Sequence, residues 1–281
     1  MQSLRNPITQ SRSIVLGSLA VLFVIGCSNQ PSPPLHQEVN PFIGTGGHGH
    51  TYPGATSPFG MVQLSPDTRL TGWDGCGGYH YSDSAIYGFS HTHLQGTGVS
   101  DYGDILFMPC TQFNKKGTSW PERYKSRYSH DSETAYAGHY RVDLLDHGIQ
   151  VDLTTTTRVG IHRYRLNQPD TLTLIVDMNH RDELVHYSIY PMNDSTLVGH
   201  RVSDNWAAEQ HVYFAARFDR AFQWQDQLSE MTDLGHDTEG VLRQEMEFIP
   251  VLITFFGRSK VLLVKDKNVR SFISSRYVIL S

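Results

Sequence analysis

The sequence predicts an all-β protein built as an antiparallel β-sandwich. Three observations lead to this class: apolar side chains alternate with period two in the second half of the chain, turn-forming residues separate the alternating runs, and charge is scarce. Charged residues make up 18% and aromatic residues 11% of the 281 residues, with 24 Gly and 14 Tyr. This balance suits a β-rich extracellular protein better than a charged helical one.

Three runs carry the alternation, in which every second side chain is apolar or β-branched, as on one face of a strand. They are Val151, Leu153, Thr155 and Thr157; Leu172, Leu174, Val176 and Met178; and Val212, Phe214, Ala216 and Phe218. Several such strands separated by short turns favour a sandwich. No internal repeat and no Gly-rich phosphate loop competes with this interpretation.

The first 27 residues predict a lipoprotein signal peptide. Arg5 and Arg12 supply a positive n-region, and the apolar run at 14–25 is too short for a membrane span. The run ends in Val24-Ile25-Gly26-Cys27, which resembles a lipobox whose cysteine is diacylated. Residues 28–37 are polar and Pro-rich, as in a flexible tether. We therefore expect an exported protein, lipid-anchored through Cys27 in a bacterial envelope, on the periplasmic or cell-surface face of the outer membrane. An ordinary cleaved secretory signal is the alternative.

Composition also limits the partners. The formal net charge of −5 provides no basic field, so we do not expect nucleic acid as a partner. Cys76 and Cys110 could pair in an oxidising compartment, but two cysteines do not make a disulfide framework.

The segment 39–103 is dense in Gly, His, Tyr, Ser and Thr and shows no helical periodicity. A long stretch without regular structure is uncommon unless its loops are functional, so we expect the site here. Its glycines permit close backbone approach by a ligand. Trp73 offers a flat plate for the C–H face of a pyranose, and Arg69 and Asp74 can bind sugar hydroxyls. Plain turns and a core tryptophan are the alternatives.

Two histidine pairs in this segment raise the question of a metal. His48 with His50, and His91 with His93, would face the same way on a strand and could share an ion. Neutral, hydrogen-bonded histidines are commoner, and neither an HExxH motif nor a cysteine pair is present. We therefore predict no metal site, and a zinc hydrolase is the last alternative.

Longer motifs in the same region resemble the opening of glycoside hydrolase family 92, whose members are calcium-dependent exo-α-mannosidases. The resemblance covers roughly residues 38–222. It is carried by Val39-Asn40-Pro41-Phe42-Ile43-Gly44-Thr45, Pro53-Gly54-Ala55, Gly72-Trp73-Asp74-Gly75-Cys76, Gly78-Tyr79-His80-Tyr81-Ser82-Asp83, Gly88-Phe89-Ser90-His91-Thr92-His93, Ser203-Asp204-Asn205-Trp206-Ala207 and Val212-Tyr213-Phe214-Ala215-Ala216.

The resemblance implies an N-terminal β-sandwich packed on a C-terminal (α/α)6 barrel, with the mannose pocket between them. It also implies an inverting hydrolase, in which one carboxylic acid protonates the leaving oxygen and a second carboxylate activates water. Acid, base and calcium ligands belong to the barrel in that family. The resemblance therefore implies no catalytic residue, no metal ligand and no tightly bound calcium in this chain alone.

Substrate-binding residues carry over by motif position, and the implied ligands are α-mannosides or the mannose termini of N-glycans. Trp73 corresponds to a stacking platform for the neighbouring sugar, with Arg69 and Asp74 as hydroxyl binders. The remaining positions are Gly46 and Gly47, as backbone contacts, and His91, as a lining residue.

After about residue 224 the sequence departs from the family pattern. Residues 225–244 are polar and predict a loop or a short helix, 248–256 are apolar, and a basic tail follows with a candidate strand at 261–264. We therefore place the sandwich at 38–224 and interpret 225–281 as a divergent tail, either a last strand or frameshifted sequence. The expected function is the substrate-binding domain of an exo-α-mannosidase, truncated before the catalytic barrel and inactive without it. A stand-alone carbohydrate-binding lipoprotein and a non-functional gene fragment are the alternatives.

Overall fold

The computed structural model describes residues 34–111, 121–226, 239–245 and 248–256. Regular structure in these ranges is almost entirely β, which confirms the predicted all-β class. One short helix, α1, covers Leu35–Glu38, and 3-10 turns cover Trp73–Gly75, Pro121–Arg123 and His130–Ser132. The strands are β1 Ala55–Thr56, β2 Gln63–Asp67, β3 Ala85–Ile86, β4 Gly88–Ser90, β5 Leu106–Cys110, β6 Ser126–Arg127, β7 Thr134–Tyr136, β8 His139–Leu144, β9 Ile149–Thr155, β10 Val159–Leu166, β11 Thr171–Asp177, β12 Glu183–Asn193, β13 Thr196–Asp204, β14 Gln210–Phe218, β15 Gln223–Asp226, β16 Glu239–Glu245 and β17 Phe248–Phe256.

The described strands form two large antiparallel sheets and one small pair. The seven-stranded sheet has the order β1-β2-β4-β5-β11-β16-β15, and the eight-stranded sheet has the order β12-β13-β14-β17-β10-β9-β8-β7. Side chains of both sheets meet in one core, where the ring of Phe107 on β5 contacts that of Phe214 on β14 edge-on at 6.5 Å. Burying each such phenylalanine contributes about 1.5–3 kcal/mol.

The predicted alternation is clearest on β14, where Val212, Phe214, Ala216 and Phe218 are all buried. On β11 the predicted face is buried too, but so are Thr173, Ile175 and Asp177 on the other face. Residues outside the sheet cover part of this second face, where the Tyr124 hydroxyl donates to Asp177 Oδ2 at 2.9 Å. The run that opens at Val151 ends earlier than predicted, since β9 stops at Thr155 and leaves Thr157 in the following turn.

The segment 39–103 contains more regular structure than expected. It contributes β1 to β4, of which β2 and β4 lie inside the seven-stranded sheet. These strands carry little apolar alternation because buried polar groups occupy them, including Ser65 and Asp67 on β2 and Ser90 on β4. Asp67 is paired with Ser90 of β4 and with His180 and Arg181 of a distant loop, so a period-two apolar pattern could not reveal these strands.

The C-terminal segment contributes interior strands to both sheets. Strand β16 pairs with β11 and β15, and β17 pairs with β10 and β14. The prediction of a loop or a helix for 225–244 is therefore wrong at 225–226 and at 239–244, which are extended. The strands also continue to Phe256, beyond the expected domain end at 224. The signal peptide, Cys27, most of the tether and the 261–264 run lie outside the described residues.

Two further expectations concern thiols and membranes. Cys76 and Cys110 are buried thiols and do not form a disulfide. Burial raises the pKa of the Cys76 thiol, so it stays protonated at neutral pH. Within the part of the chain that the structure describes, no helix has the length and apolar character needed to cross a membrane.

Candidate functional site

The most exposed feature of the expected site is the indole of Trp73. The side chain is 58% exposed and stands on the 3-10 turn Trp73–Gly75. The rings of His48 and His50 contact it at centroid distances of 5.2 and 4.2 Å, the second edge-on. A Cβ atom at Gly98 would overlap the indole Nε1, so the glycine allows the loop to pack closely against the ring. Packing on these sides holds the indole in place while much of its surface stays open.

Asp74 follows the indole and is tied to the same two histidines. Its Oδ1 accepts a hydrogen bond from His48 Nδ1 at 2.5 Å, and His50 Nε2 lies 3.6 Å from the same oxygen. The hydrogen bond from His48 holds the pKa of Asp74 below its ordinary value. Asp74 is therefore a carboxylate at neutral pH, which can accept hydrogen bonds from hydroxyl groups.

Arg69 lies behind the same turn. Its methylene groups pack on Gly75, where a Cβ would lie only 2.7 Å from Cγ. The guanidinium is already paired, with Nη2 2.5 Å from Asp83 Oδ1 and 3.1 Å from Ser82 Oγ. Arg69 therefore supports the turn, and most of its donors are engaged by the protein.

Gly46 and Gly47 form an open loop next to Tyr81. A Cβ at Gly47 would meet no atom within 4 Å, and at Gly46 the nearest atom would be Tyr81 Cβ at 3.7 Å. The loop is anchored from below, since Tyr81 N donates to Thr45 O and His80 Nε2 to Gly47 O. A ligand could approach the backbone here without a steric obstacle.

The structure separates His91 from this surface. His91 is fully buried, and its Nδ1 donates to Ile105 O at 2.7 Å. Its Nε2 accepts from His162 Nε2 at 2.8 Å, and His162 Nδ1 in turn accepts from Tyr164. Burial lowers the pKa of His91 to about 3, so both its nitrogens serve a neutral hydrogen-bonded chain in the core. The expected lining role does not match this position.

The histidine pairs do not assemble an evident metal centre. His93 Nδ1 donates to Gln63 O and its Nε2 lies 3.0 Å from Ser90 Oγ, so His93 and His91 face different partners. In the described ranges, no group of three or more His, Cys, Asp or Glu side chains is arranged to hold a metal ion.

Sequence reasoning missed Arg181, which contacts the Trp73 turn from the loop between β11 and β12. Its Nη2 donates to Gly75 O at 2.6 Å and to Ser100 Oγ at 2.9 Å. Its Nη1 lies 3.4 Å from the buried carboxylate of Asp67. Arg181 and Asp182 both have positive φ, 55° and 33°, a strained conformation that often marks functional sites. The only sequence signal was the polar run 179–183 directly after an apolar strand.

A second exposed indole adjoins Asp182. Asn205 Nδ2 donates to Asp182 Oδ1 at 3.1 Å and to Ser100 O at 2.5 Å. The backbone N–H of Ala207 donates to Asp101. Trp206, which lies between Asn205 and Ala207 in the sequence, is 67% exposed. Burial, reinforced by the neighbouring Asp101 and Asp104 carboxylates, raises the pKa of Asp182 to about 7.

The buried carboxylate of Asp67 lies next to Arg181, which contacts the Trp73 turn. It accepts a short hydrogen bond from Ser90, and His180 Nε2 and His93 Nε2 lie 3.3 and 3.7 Å from Oδ2. Burial opposes its ionisation, but His180 and His93 outweigh that effect and hold the pKa of Asp67 well below its ordinary value. The buried anion thus fixes Arg181 and the strands below the site.

The raised pKa of Asp182 predicts a pH-dependent stability difference. An aspartate in an unfolded chain has a pKa of about 3.9, so the folded protein holds the proton of the Asp182 carboxyl group more tightly than the unfolded chain does. The stabilisation of the folded state that results from this tighter proton binding is fully present below the unfolded pKa. It is lost as the pH rises to about 7. Asp182→Asn keeps the neutral shape at every pH. The variant should be more stable than the parent by about 1–2 kcal/mol at alkaline pH, after allowance for solvent screening, and gain nothing in acid.

Urea denaturation at pH 4 and pH 8 checks this prediction. Asp194→Asn, at an exposed aspartate between β12 and β13, controls for the loss of one negative charge. Equal stabilisation by Asp182→Asn at both pH values would contradict the assignment.

Comparison with known families places these features in context. A model of the glycosyl hydrolase family 92 N-terminal domain matches residues 38–259. An uncharacterised secreted glycosidase of Arthroderma benhamiae is 31% identical over 131 residues, which cover 45% of this chain and 16% of that protein.

Solved structures agree with the family match. The family GH92 α-mannosidase BT3965 from Bacteroides thetaiotaomicron, in complex with mannoimidazole, superposes with a TM-score of 0.69 at 34% identity, covering 81% of this chain and 33% of that one. The GH92 family glycosyl hydrolase ccman5 gives a TM-score of 0.67 at 27% identity, covering 79% and 32%. The chain thus spans about a third of the length of these proteins.

Proposed function

The chain belongs to the glycosyl hydrolase family 92 N-terminal domain family, and we propose from this premise that it supplies the sugar-binding wall for the cleavage of α-mannosides. The observation that carries the proposal is the exposed indole of Trp73 beside an ionised carboxylate, Asp74. An aromatic face with an adjacent acceptor is what a pyranose ring requires. Mannoimidazole in the structure of a 34% identical relative supports a mannoside as the ligand.

In this wall the indole stacks on the C–H face of a sugar ring, and Asp74 accepts from its hydroxyl groups. Gly46 and Gly47 let the ligand approach the loop backbone. Arg69 acts indirectly, since its guanidinium is held by Asp83 and its stem supports the turn. Arg181 holds the same turn from the other side through Gly75 O.

We propose that this chain hydrolyses no mannoside by itself. An inverting glycosidase needs a carboxylic acid and a carboxylate base on opposite faces of the sugar. The carboxylates beside the platform are engaged by the protein, since His48 Nδ1 donates to Asp74 and Asp83 is ion-paired with Arg69. In that state neither carboxylate can serve as a proton donor at neutral pH, so cleavage would require an acid other than Asp74 and Asp83.

Calcium, which the family resemblance implies, does not fit the residues described here. The ion takes six to eight oxygen ligands from several carboxylates and carbonyl groups. Two buried carboxylates of this region are instead paired with arginines, Asp67 with Arg181 and Asp104 with Arg201. We propose that this chain alone holds no calcium.

Export and anchoring form a separate part of the proposal. The positive, apolar and lipobox-like segments before residue 28 support secretion with a lipid at Cys27. The secreted glycosidase relative supports export. Palmitate labelling in a bacterial host should mark the parent chain and leave Cys27→Ala unlabelled; label on both would exclude lipidation at this cysteine.

Titration of methyl α-mannoside into the purified chain tests the platform. Half of a cleft buries little ligand, so we expect millimolar affinity, and Trp73→Ala should weaken it by about tenfold. Trp206→Ala, which removes the other exposed indole, is the matched control and should leave the affinity near that of the parent. Loss of binding in the control alone would refute the assignment to Trp73. Release of mannose from an α-mannobiose by the purified chain would refute the proposed inactivity.

A further inference from the structure

A second exposed aromatic side chain borders the open glycine loop. Tyr81 is 45% exposed, and its backbone N–H donates to Thr45 O at 2.9 Å. A Cβ at Gly46 would contact the Cβ of Tyr81 at 3.7 Å. Two residues further along the loop, the ring of His48 contacts the indole of Trp73. One short loop therefore touches two exposed aromatic side chains.

His130 holds the ring of Tyr81 in place. The two rings stack with their centroids 4.0 Å apart and their planes within 8° of each other. His130 Nε2 donates to the carbonyl group of Tyr81 at 2.7 Å, and its Nδ1 is hydrogen-bonded to Glu133 Oε2 at 2.7 Å. The ring of Phe42 meets that of Tyr81 edge-on at 6.0 Å. Because His130 covers one face, the accessible surface of the tyrosine ring lies on the other face and along the ring edge.

The support of His130 is itself anchored in the protein. The side chain of Glu133 is buried, and its two oxygens accept hydrogen bonds from the hydroxyl groups of Tyr79 at 3.0 Å and Tyr140 at 2.6 Å. A buried carboxylate is costly unless such bonds are made, and these bonds fix Glu133 and hence His130. Single exposed aromatic residues are common and need no explanation. The ring of Tyr81 differs in being held in one orientation, so that little entropy is lost when a ligand stacks on it.

The two polar residues that follow Tyr81 are engaged by the protein. Arg69 Nη2 donates to Ser82 Oγ at 3.1 Å, and the same guanidinium is ion-paired with Asp83. The ionisable ring of His130 lies on the covered face of Tyr81, so it does not contact a ligand on the open face. Tyr81 therefore offers a ligand an aromatic face and a hydroxyl group. These groups match the C–H face and the hydroxyl groups of a sugar ring.

We propose that Tyr81 is a second sugar platform, so that the wall binds an α-mannose oligosaccharide with one ring on Trp73 and a later ring on Tyr81. The inference rests on the proposed function, because Trp73 anchors the same ligand. Gly46 and Gly47 have no side chains, so the oligosaccharide can pass over the loop between the platforms. A second contact within one ligand strengthens binding without a second loss of translational freedom.

NMR titration of the purified full-length chain tests the proposal. The ligands are methyl α-mannoside, which has a single ring, and two linear mannotetraoses, one α-1,2-linked and one α-1,6-linked. Each tetraose has one non-reducing end, so that a statistical advantage does not imitate a second contact. We expect at least one tetraose to bind about tenfold more tightly than methyl α-mannoside. Equal affinities for all three ligands would overturn the proposal.

Variants of Tyr81 localise the second contact. Tyr81→Ala should weaken binding of the tetraose by about tenfold and leave binding of methyl α-mannoside unchanged. Tyr81→Phe keeps the ring and should bind the tetraose as the parent does, which also controls for a folding defect in the alanine variant. Tyr190→Ala, at an exposed tyrosine on β12, is the matched control and should change neither affinity.

Three results would count against a platform at Tyr81. They are undiminished tetraose binding in Tyr81→Ala, an equal loss of both ligands in that variant, and a loss in Tyr81→Phe as large as in Tyr81→Ala. Trp73→Ala distinguishes the two levels of the argument. If it leaves methyl α-mannoside binding unchanged, the proposed function fails. If it weakens both ligands while Tyr81→Ala weakens neither, only the second platform fails.

Discussion

Arg201→Met should lower the free energy of unfolding by about 3–5 kcal/mol, enough to unfold much of a marginally stable domain. Arg201 and Asp104 are completely buried and their charged atoms lie 2.5 Å apart. The guanidinium also donates to the carbonyl groups of Met178 and His180. Methionine fills a similar volume but leaves a buried carboxylate without its counter-ion and these carbonyls without donors.

The urea midpoint of the purified variant measures this effect. Arg217→Met is the matched control, because Arg217 is exposed on β14, and it should change stability by less than about 0.5 kcal/mol. Asp104→Asn in the Arg201→Met background should recover part of the loss, since the unpaired charge is removed. A variant as stable as the control would show that the ion pair contributes nothing to the fold.

Gly78→Ala should destabilise the protein by more than about 3 kcal/mol and disturb the site. Gly78 has φ of +87°, and a Cβ there would overlap the buried Asp67 Oδ1 and lie 3.0 Å from the His93 ring. Its carbonyl accepts from the backbone N–H groups of Thr68 and Arg69, so any shift moves the segment after β2 that carries Arg69.

Gly72→Ala separates the two causes of the lost stability in Gly78→Ala, which are backbone strain at positive φ and the overlap with Asp67. Gly72 has the same φ of +87°, but a Cβ at this position would meet no atom within 4 Å. It should therefore show only the backbone strain of its own conformation, φ 87° and ψ 158°, which is essentially restricted to glycine and costs another residue about 1–3 kcal/mol. The difference between the two variants in urea denaturation reports the clash with Asp67. Equal losses would mean that Asp67 can move aside.

The strands that pack purely apolar faces were predictable from sequence, and the strands that carry the site were not. Val212 to Phe218 show the alternation because one face of β14 is buried and the other is not. On β2, the buried carboxylate of Asp67 has partners that come from β4 and from residues 180–181, far along the chain. No local pattern encodes such partners. The polar residues of β16 misled the prediction in the same way, since the pairing of that strand depends on β11 and β15.

For the site, neighbours in sequence were predicted together and distant ones were missed. Trp73 and Asp74 adjoin in the chain, and the structure adds His48 and His50 to them. Arg181 reaches Gly75 across 106 positions, and neither that contact nor the positive φ of Arg181 leaves a sequence signal. His91 stood in a polar, glycine-rich motif, yet its partner His162 belongs to the opposite sheet and draws it into the core.

The interior positions of β16 and β17 set an order of events during synthesis. Strands β10 and β14 leave the ribosome well before β17, which must insert between them, and β11 likewise waits for β16. Until residue 256 has emerged, each growing sheet presents open strand edges whose backbone groups can pair with other chains. Such late, long-range pairing is slow and prone to aggregation. We expect a nascent chain that ends before β17 to depend on chaperones, and its solubility to rise once that strand is included.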